Sequence, residues 1–221
     1  MLNMDMEKSV FIDTTELGWQ ASPREGVWRK PLAREDAERG HATSIVRFDP
    51  DSRFSEHGHP LGEEVLVLEG VFSDHTGDFK KGSYFRNPPG FAHAPFSLGG
   101  CTLFVKLHQF LPADKRRVCI NYLEEGDDQQ WRDHGDYQSL LLHEFESESV
   151  RLIRSSSIAA SCTIDDDGVE ILVVEGGIEQ SGVSYGPGAW LRRTQANTNA
   201  ISLAGDSLLW VKTGHLPEYA S

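Results

Sequence analysis

Cysteine is scarce in this sequence. Cys101, Cys119 and Cys162 are the three in 221 residues, and no two of them form a Cys-x-x-Cys pair. That excludes a disulfide framework and a cysteine-rich zinc site, and it points to a reducing compartment. Long apolar runs are missing as well: no stretch approaches the ~18–20 apolar residues that span a bilayer. The first 30 residues include Asp5, Glu7, Asp13, Glu16 and Glu25 and hold no apolar core of signal-peptide length. A cytoplasmic protein is the expectation. Basic residues number 21 against 34 acidic ones, a formal net charge of −13. Phosphates would be repelled, so neither nucleic acid nor an anionic membrane is an expected partner. The deficit is uneven: residues 1–120 carry 15 basic and 17 acidic side chains, and residues 121–221 carry 6 and 17. The acidic half reads as a solvated, solubilising face, with a docking surface for a basic partner as the alternative.

Helical periodicity is also rare, confined to brief patches at 32–39 and 112–118. What is present instead is a series of short runs rich in Val, Ile, Phe and Trp, such as 44–48, 64–72, 82–86 and 102–110. Turn signals separate them, among them Asp49-Pro50-Asp51, Thr76-Gly77-Asp78 and Pro88-Pro89-Gly90. Strands at such spacing without helical segments predict an all-β sandwich or barrel.

One cluster carries chemistry. His57-x-His59-x3-Glu63 is followed by His93, 30 residues after the glutamate. In a strand, residues two apart face the same way, so His57 and His59 look to one side. Glu63 follows a turn-like stretch and opens the next strand, and Asn87-Pro88-Pro89-Gly90 is a stiff turn that can swing His93 toward the others. Three imidazoles and a carboxylate suit one divalent transition metal: zinc, or iron, manganese or nickel with waters completing the shell.

The sequence repeats itself at an offset of 106 residues. Glu64-Val65-Leu66-Val67-Leu68-Glu69-Gly70 lies over Glu170-Ile171-Leu172-Val173-Val174-Glu175-Gly176, and Gly82-Ser83-Tyr84-Phe85-Arg86 over Gly188-Ala189-Trp190-Leu191-Arg192. Leu103-Phe104-Val105-Lys106 lies over Leu209-Trp210-Val211-Lys212 with no gap between the segments. Two copies of one small domain follow, 1–123 and 124–221, with 124–136 as linker. His57, His59, Glu63 and His93 fall on Thr163, Asp165, Val169 and Asn199, so the second copy is expected to lack the metal.

His57-x-His59-x3-Glu63-x6-Gly70 and Gly82-x5-Pro88-x-Gly90-x2-His93 resemble the two motifs of the cupin superfamily. Asp51 stands where the first motif opens on glycine, and Ser97 where the second ends on asparagine. The resemblance implies two tandem cupin barrels, each a jelly roll or double-stranded β-helix, with His57, His59, Glu63 and His93 as the metal ligands. The stretch 62–74, with Arg86-Asn87-Pro88-Pro89-Gly90 and 100–106, is similar to the cupin domain of ChrR-type anti-sigma factors. That likeness implies zinc and a regulatory role in which a sigma-factor system is the protein partner and an oxidant or small ligand is sensed. The sigma-binding helical domain of that family uses a zinc motif ending in Cys-x-x-Cys, and this chain is expected to lack it.

Two functions remain open at this point: a ChrR-like regulatory sensor, and a metal-dependent dioxygenase acting on a small diketone or aromatic ketone. Tyr84, Arg86 and His108 are expected near the cavity or its rim, in ordinary packing or solvation. His75 is expected in a solvated hairpin and Cys101 in a buried strand, while Trp190 and Trp210 are expected to fill the space that a second metal site would occupy. A two-domain monomer, or a homodimer of it, fits the repeat.

Overall fold

The structure, a computed structural model, describes residues 1–36, 40–124, 130–156, 160–164, 168–180, 182–194 and 200–216. Among these residues every regular element is a strand, and every pairing is antiparallel. No helix among them is long and apolar enough to cross a membrane. The two helix-compatible patches fold otherwise. Leu32 lies in the strand Val27–Arg34, and 112–118 is a turn leading to the strand Val118–Asn121. Ladder pairing with a neighbouring strand outweighs the weak local propensity of so short a patch.

The chain divides into two compact units, Met1–Met4 with Leu17–Glu125, and Asp5–Glu16 with Gly126–Ser221. In the first, a sheet runs in the order Val118–Asn121, Ser83–Asn87, Glu63–Asp74, Cys101–Leu107, Ala42–Phe48, Val27–Arg34, Gln20–Ala21. In the second, the order is Val10–Asp13, Ala189–Arg193, Val169–Glu175, Ser207–Thr213, Glu148–Ser155, Gln138–Phe145, Arg132–Asp133. The two orders correspond strand for strand, except that the first edge of the second sheet comes from the N-terminus. Val10 pairs with Arg192 and Ile12 with Trp190, as Val118 pairs with Arg86 and Ile120 with Tyr84. Reading the repeat alone assigns 1–16 to the first domain; the strand Val10–Asp13 closes the sheet of the second.

Pairing register repeats as closely as sequence does. Glu64 lies opposite Arg86 on one side and Lys106 on the other; Glu170 lies opposite Arg192 and Lys212. The ladder to the neighbouring strand skips Leu68 in one unit and Val174 in the other, a bulge kept 106 residues apart. Ahead of the bulge, alternate residues face opposite sides. Val65, Val67, Phe72, Phe85, Leu103 and Val105 share the apolar cluster of the first unit. Val169, Ile171, Val173, Leu191, Leu209 and Val211 share that of the second. Burying each such side chain contributes roughly 1.5–3 kcal/mol.

Trp190 and Trp210 are buried but lie on the other face, paired with Leu172. They do not fill the space of a second metal site, as parity along the strands forbids it: the space is filled by Val169, Ile171 and Val173.

Gly70 and Gly176 end the bulged segments with φ of 71° and 68°. A Cβ on Gly70 would stand 2.1 Å from the Gly100 carbonyl oxygen, which belongs to backbone and cannot step aside. Gly70→Ala is therefore expected to destabilise the first unit by about 2 kcal/mol or more, from left-handed strain plus the clash. Gly99→Ala, with open space around it, should stay within about 0.5 kcal/mol of the parent. Urea melts of the two variants test this; equal midpoints would refute the assignment of Gly70 to a backbone constraint.

Candidate metal centre

Three imidazoles reach one point by different local routes. His57 and His93 are cross-strand partners in a two-residue ladder, His57–Gly58 against Ala92–His93. His59 lies just past that ladder, at the start of a turn closed by the Gly62 amide donating to the His59 carbonyl at 3.0 Å. The turn expected at 88–91 brings His93 in, with the Phe91 amide donating to the Pro88 carbonyl at 3.1 Å. One nitrogen from each of His57, His59 and His93 lies within 4.8 Å of the other two. Glu63, the first residue of its strand, lies beside two of these rings. Its Oε1 is 3.4 Å from His59 Nε2 and its Oε2 is 3.6 Å from His93 Nε2.

The hydrogen bonds around these rings set their tautomers. His57 Nδ1 lies 3.0 Å from the Ser55 carbonyl, which can only accept, so Nδ1 carries the proton and Nε2 the lone pair. His93 Nδ1 donates to Asp74 Oδ2 at 3.0 Å, again leaving Nε2 as the lone-pair nitrogen. His59 Nε2 and His93 Nε2 are buried without a hydrogen-bond partner, and both face carboxylate oxygens. An imidazole lone pair facing a carboxylate, as at His93, is repulsive unless a proton or a metal cation lies between them. The orphaned nitrogens, the carboxylate and their common focus therefore fit a divalent metal held by His57, His59, Glu63 and His93.

Electrostatics agree with that reading. Burial pushes the His59 pKa below its ordinary 6.5; Glu63 pulls it up in part, and the other imidazoles add to the depression. His59 thus stays neutral, the form that ligates. Burial pushes Asp74 up, but hydrogen bonds from the Thr76 hydroxyl and amide and from His93 more than offset it, and its carboxyl ends below the usual range. Asn87 donates to Glu63 Oε2 at 3.1 Å and helps to fix the carboxylate.

Asp74 is a partner of the histidine cluster that spacing did not reveal. Its sequence context, Ser73-Asp74-His75-Thr76-Gly77-Asp78, signals a hairpin, which it also forms. Glu63 and Asp74 are eleven residues apart, an odd interval that a regular strand would place on opposite faces. The bulge at Leu68 restores them to one side, where both touch His93. A carboxylate behind a ligating imidazole orients the ring and raises its basicity.

The two departures from the cupin motifs are local. Asp51 has a φ of 62°, so its place calls for a left-handed residue, and Asp is among the few besides Gly that adopt it. The Ser97 hydroxyl donates to the Val71 carbonyl at 2.6 Å, a scaffold bond. His75 is exposed and stacks on Phe91. Tyr84 and Arg86 do not face the centre. They are buried on the opposite side of the sheet, where both bond Glu64. His108 follows the strand end with a φ of 61°, its ring centroid 6.3 Å from that of His59.

A cavity of about 740 Å³ opens beside His57 and His59 and is lined further by Phe54, Val105, Leu107 and His108. In the second unit Val169, the counterpart of Glu63, offers no donor and sits in the apolar cluster. Asp165 and Asn199 lie outside the described residues, and Thr163 is described only as the end of the strand Ala160–Thr163.

Residues 7–111, just under half of the chain, match the family model of the ChrR cupin-like domain. A comparison with curated protein sequences gives no match. Among solved structures the chain is similar to a provisionally assigned dioxygenase of Nostoc punctiforme, at 14% identity and a TM-score of 0.76, over 97% of this chain and 85% of that one. It is similar to bacterial pirin YhhW of Escherichia coli in complex with nickel(II), at 15% identity and a TM-score of 0.66, over 96% and 100%. It is also similar to oxalate decarboxylase of Bacillus subtilis, which has Mn(II) centres, at 11% identity and a TM-score of 0.64, over 95% and 78%. At such identities the likeness is one of fold.

Two predictions follow from this geometry. The purified protein should hold about one metal per chain, His59→Ala should abolish it, and Asp74→Asn should weaken metal affinity about 10- to 100-fold while leaving the ligands in place. Elemental analysis and competition with a chelator read both; full retention in His59→Ala would overturn the ligand assignment. The thiols give the second. Burial pushes Cys101 and Cys162 up to about 11, partly offset at Cys101 by hydrogen bonding with Ser97; burial raises Cys119 too, but its side chain is exposed. Native protein at neutral pH should release colour from a disulfide reagent at Cys119 alone, and at all three cysteines after unfolding. Rapid labelling of Cys101 in the native state would contradict its burial.

Proposed function

We propose that this cupin-superfamily protein, similar to the ChrR cupin-like domain over its first half, is a metal-dependent enzyme of the oxygenase class that acts on a small molecule in its first unit. The observation that carries the reading is the cavity beside His57 and His59. A structural metal site is closed by its ligands, whereas a catalytic one keeps a side open. The cavity volume of about 740 Å³ lies in the range of small-molecule sites and suits a diketone or aromatic ketone.

A divalent metal on His57, His59, Glu63 and His93 would supply Lewis acidity and, if it is iron, one-electron chemistry toward dioxygen. The protein's own groups do the rest. Asp74 holds the His93 ring in its ligating tautomer, and Asn87 holds Glu63. Phe54, Val105 and Leu107 give the cavity an apolar wall that excludes water and strengthens electrostatics within it. Among the described lining residues, His108 is the imidazole outside the ligand set, placed to take or return a proton of the bound substrate.

A second reading draws on the ChrR match: a sensor in which zinc holds the centre and an oxidant or small ligand alters it, with a sigma-factor system as protein partner. In that case sensing would run through the metal centre rather than through Cys101, whose thiol is buried.

Protein purified without added metal, assayed for metal content and for oxygen uptake with a simple β-diketone, separates the two. Iron together with substrate-dependent uptake is expected, and His108→Gln should lower the turnover about 100-fold. One zinc per chain with no uptake would sink the enzyme reading and favour the sensor.

A further inference from the structure

Arg29 and Arg34 are five residues apart on the strand Val27–Arg34, an interval that regular alternation would send to opposite faces. The ladder to Ala42–Phe48 skips Leu32, and this bulge turns Arg34 back to the side of Arg29. Arg29 then lies opposite Val46 and Arg34 opposite Ala42, and all four line the cavity beside His57 and His59. Arg24, from the turn ahead of that strand, lines it too.

No Asp or Glu is among the described lining residues. In a chain with 34 acidic side chains and a net charge of −13, three guanidinium groups around one cavity, with no carboxylate among the described lining residues, stand out in sign. Arg24 donates to the Ser55 hydroxyl and Arg34 donates through Nε to the Asp36 carbonyl at 2.7 Å, while each guanidinium carries five N–H donors.

We propose that the cavity takes an anionic, carboxylate-bearing small molecule, gripped by Arg29 and Arg34 with Arg24 at the exposed side, so that the rest of the molecule lies against His57 and His59. Guanidinium matches carboxylate as a fork, and such charge-assisted pairs fix orientation as well as affinity. The inference rests on the reading of this cavity as the substrate site and narrows its ligand to an organic acid such as a keto acid.

The probes are phenylpyruvate and its methyl ester, which share shape and differ in charge. Calorimetric titration of the purified full chain should show the acid binding about tenfold or more tightly than the ester. Arg29→Met and Arg34→Met, each with unchanged metal content, should remove that preference while ester binding stays as in the parent. Arg34→Lys should restore part of it. An acid that binds no more tightly than its ester, binding by neither included, overturns the proposal, as does full preference in both methionine variants. The preference is also read on His59→Ala. Acid selectivity that survives loss of the metal supports the arginine grip even where the oxygenase reading fails. Oxygen uptake in a protein indifferent to the carboxylate sinks the grip and leaves the oxygenase reading standing.

Discussion

Side-chain alternation along the strand Glu63–Asp74, reset once at Leu68, ties the two faces of the first unit together. Glu63 faces the histidines, and its neighbour Glu64 must then face the other way. There it is buried, accepting from the Tyr84 hydroxyl at 3.0 Å and from Arg86 at 3.1 Å. Arg86 in turn reaches Asp114 at 2.9 Å and lies over the Phe110 ring at 4.1 Å. A buried charge that loses one partner costs several kcal/mol, so this network resists any slip of register. A one-residue slip would expose Glu63 to Arg86 and turn Glu64 toward the imidazoles. The register that satisfies the outer face is the one that assembles the centre on the inner face.

The second unit has the same outer layer without the carboxylate of the inner one. Trp190 donates to Glu170 at 2.8 Å in the place of Tyr84, and His215 meets the other oxygen of Glu170 at 3.0 Å. Arg192, the counterpart of Arg86, is served by the Asp5 and Lys8 carbonyls. Those carbonyls belong to the segment that runs into the strand Val10–Asp13, the edge of the same sheet. A stretch far away in sequence thus supplies both the edge strand and the polar partners that Val118–Asn121 and Asp114 supply in the first unit. The duplication preserved a requirement and met it with a different piece of chain.

Much of this was legible in the sequence. The 106-residue offset anticipated equal strand order and register, and motif spacing pointed to His57, His59 and His93, which lie together, with Glu63 beside two of them. What escaped depended on pairing rather than on residue type. Asp74 was hidden because an eleven-residue interval means opposite faces until the bulge at Leu68 is known. Arg29 and Arg34 were hidden in the same way by the bulge at Leu32. Trp190 and Trp210 were assigned to the wrong face because aromatic size suggested cavity filling, where their parity with Tyr84 and Phe104 already pointed outward. The role of residues 5–16 left no local signal, since an edge strand four residues long carries no pattern of its own.

The fate of the two inner faces has a single electrostatic logic. In the first unit a buried carboxylate faces two imidazole nitrogens that have no hydrogen-bond partner, and burial keeps His59 from protonating to relieve them. Such an arrangement is unfavourable as a set of neutral bases around an anion, and a divalent cation at their focus turns each repulsion into a bond. In the second unit the position of Glu63 is held by Val169 within a continuous apolar cluster. Removing the carboxylate removes the need for the cation, and a hydrophobic side chain of similar reach fills the space. A half-converted site, with the carboxylate kept and the imidazoles lost, would combine the desolvation cost of an ion with nothing to neutralise it. The replacement of Glu63's counterpart by a valine that joins the core is therefore the change that lets the second sheet fold around a packed interior.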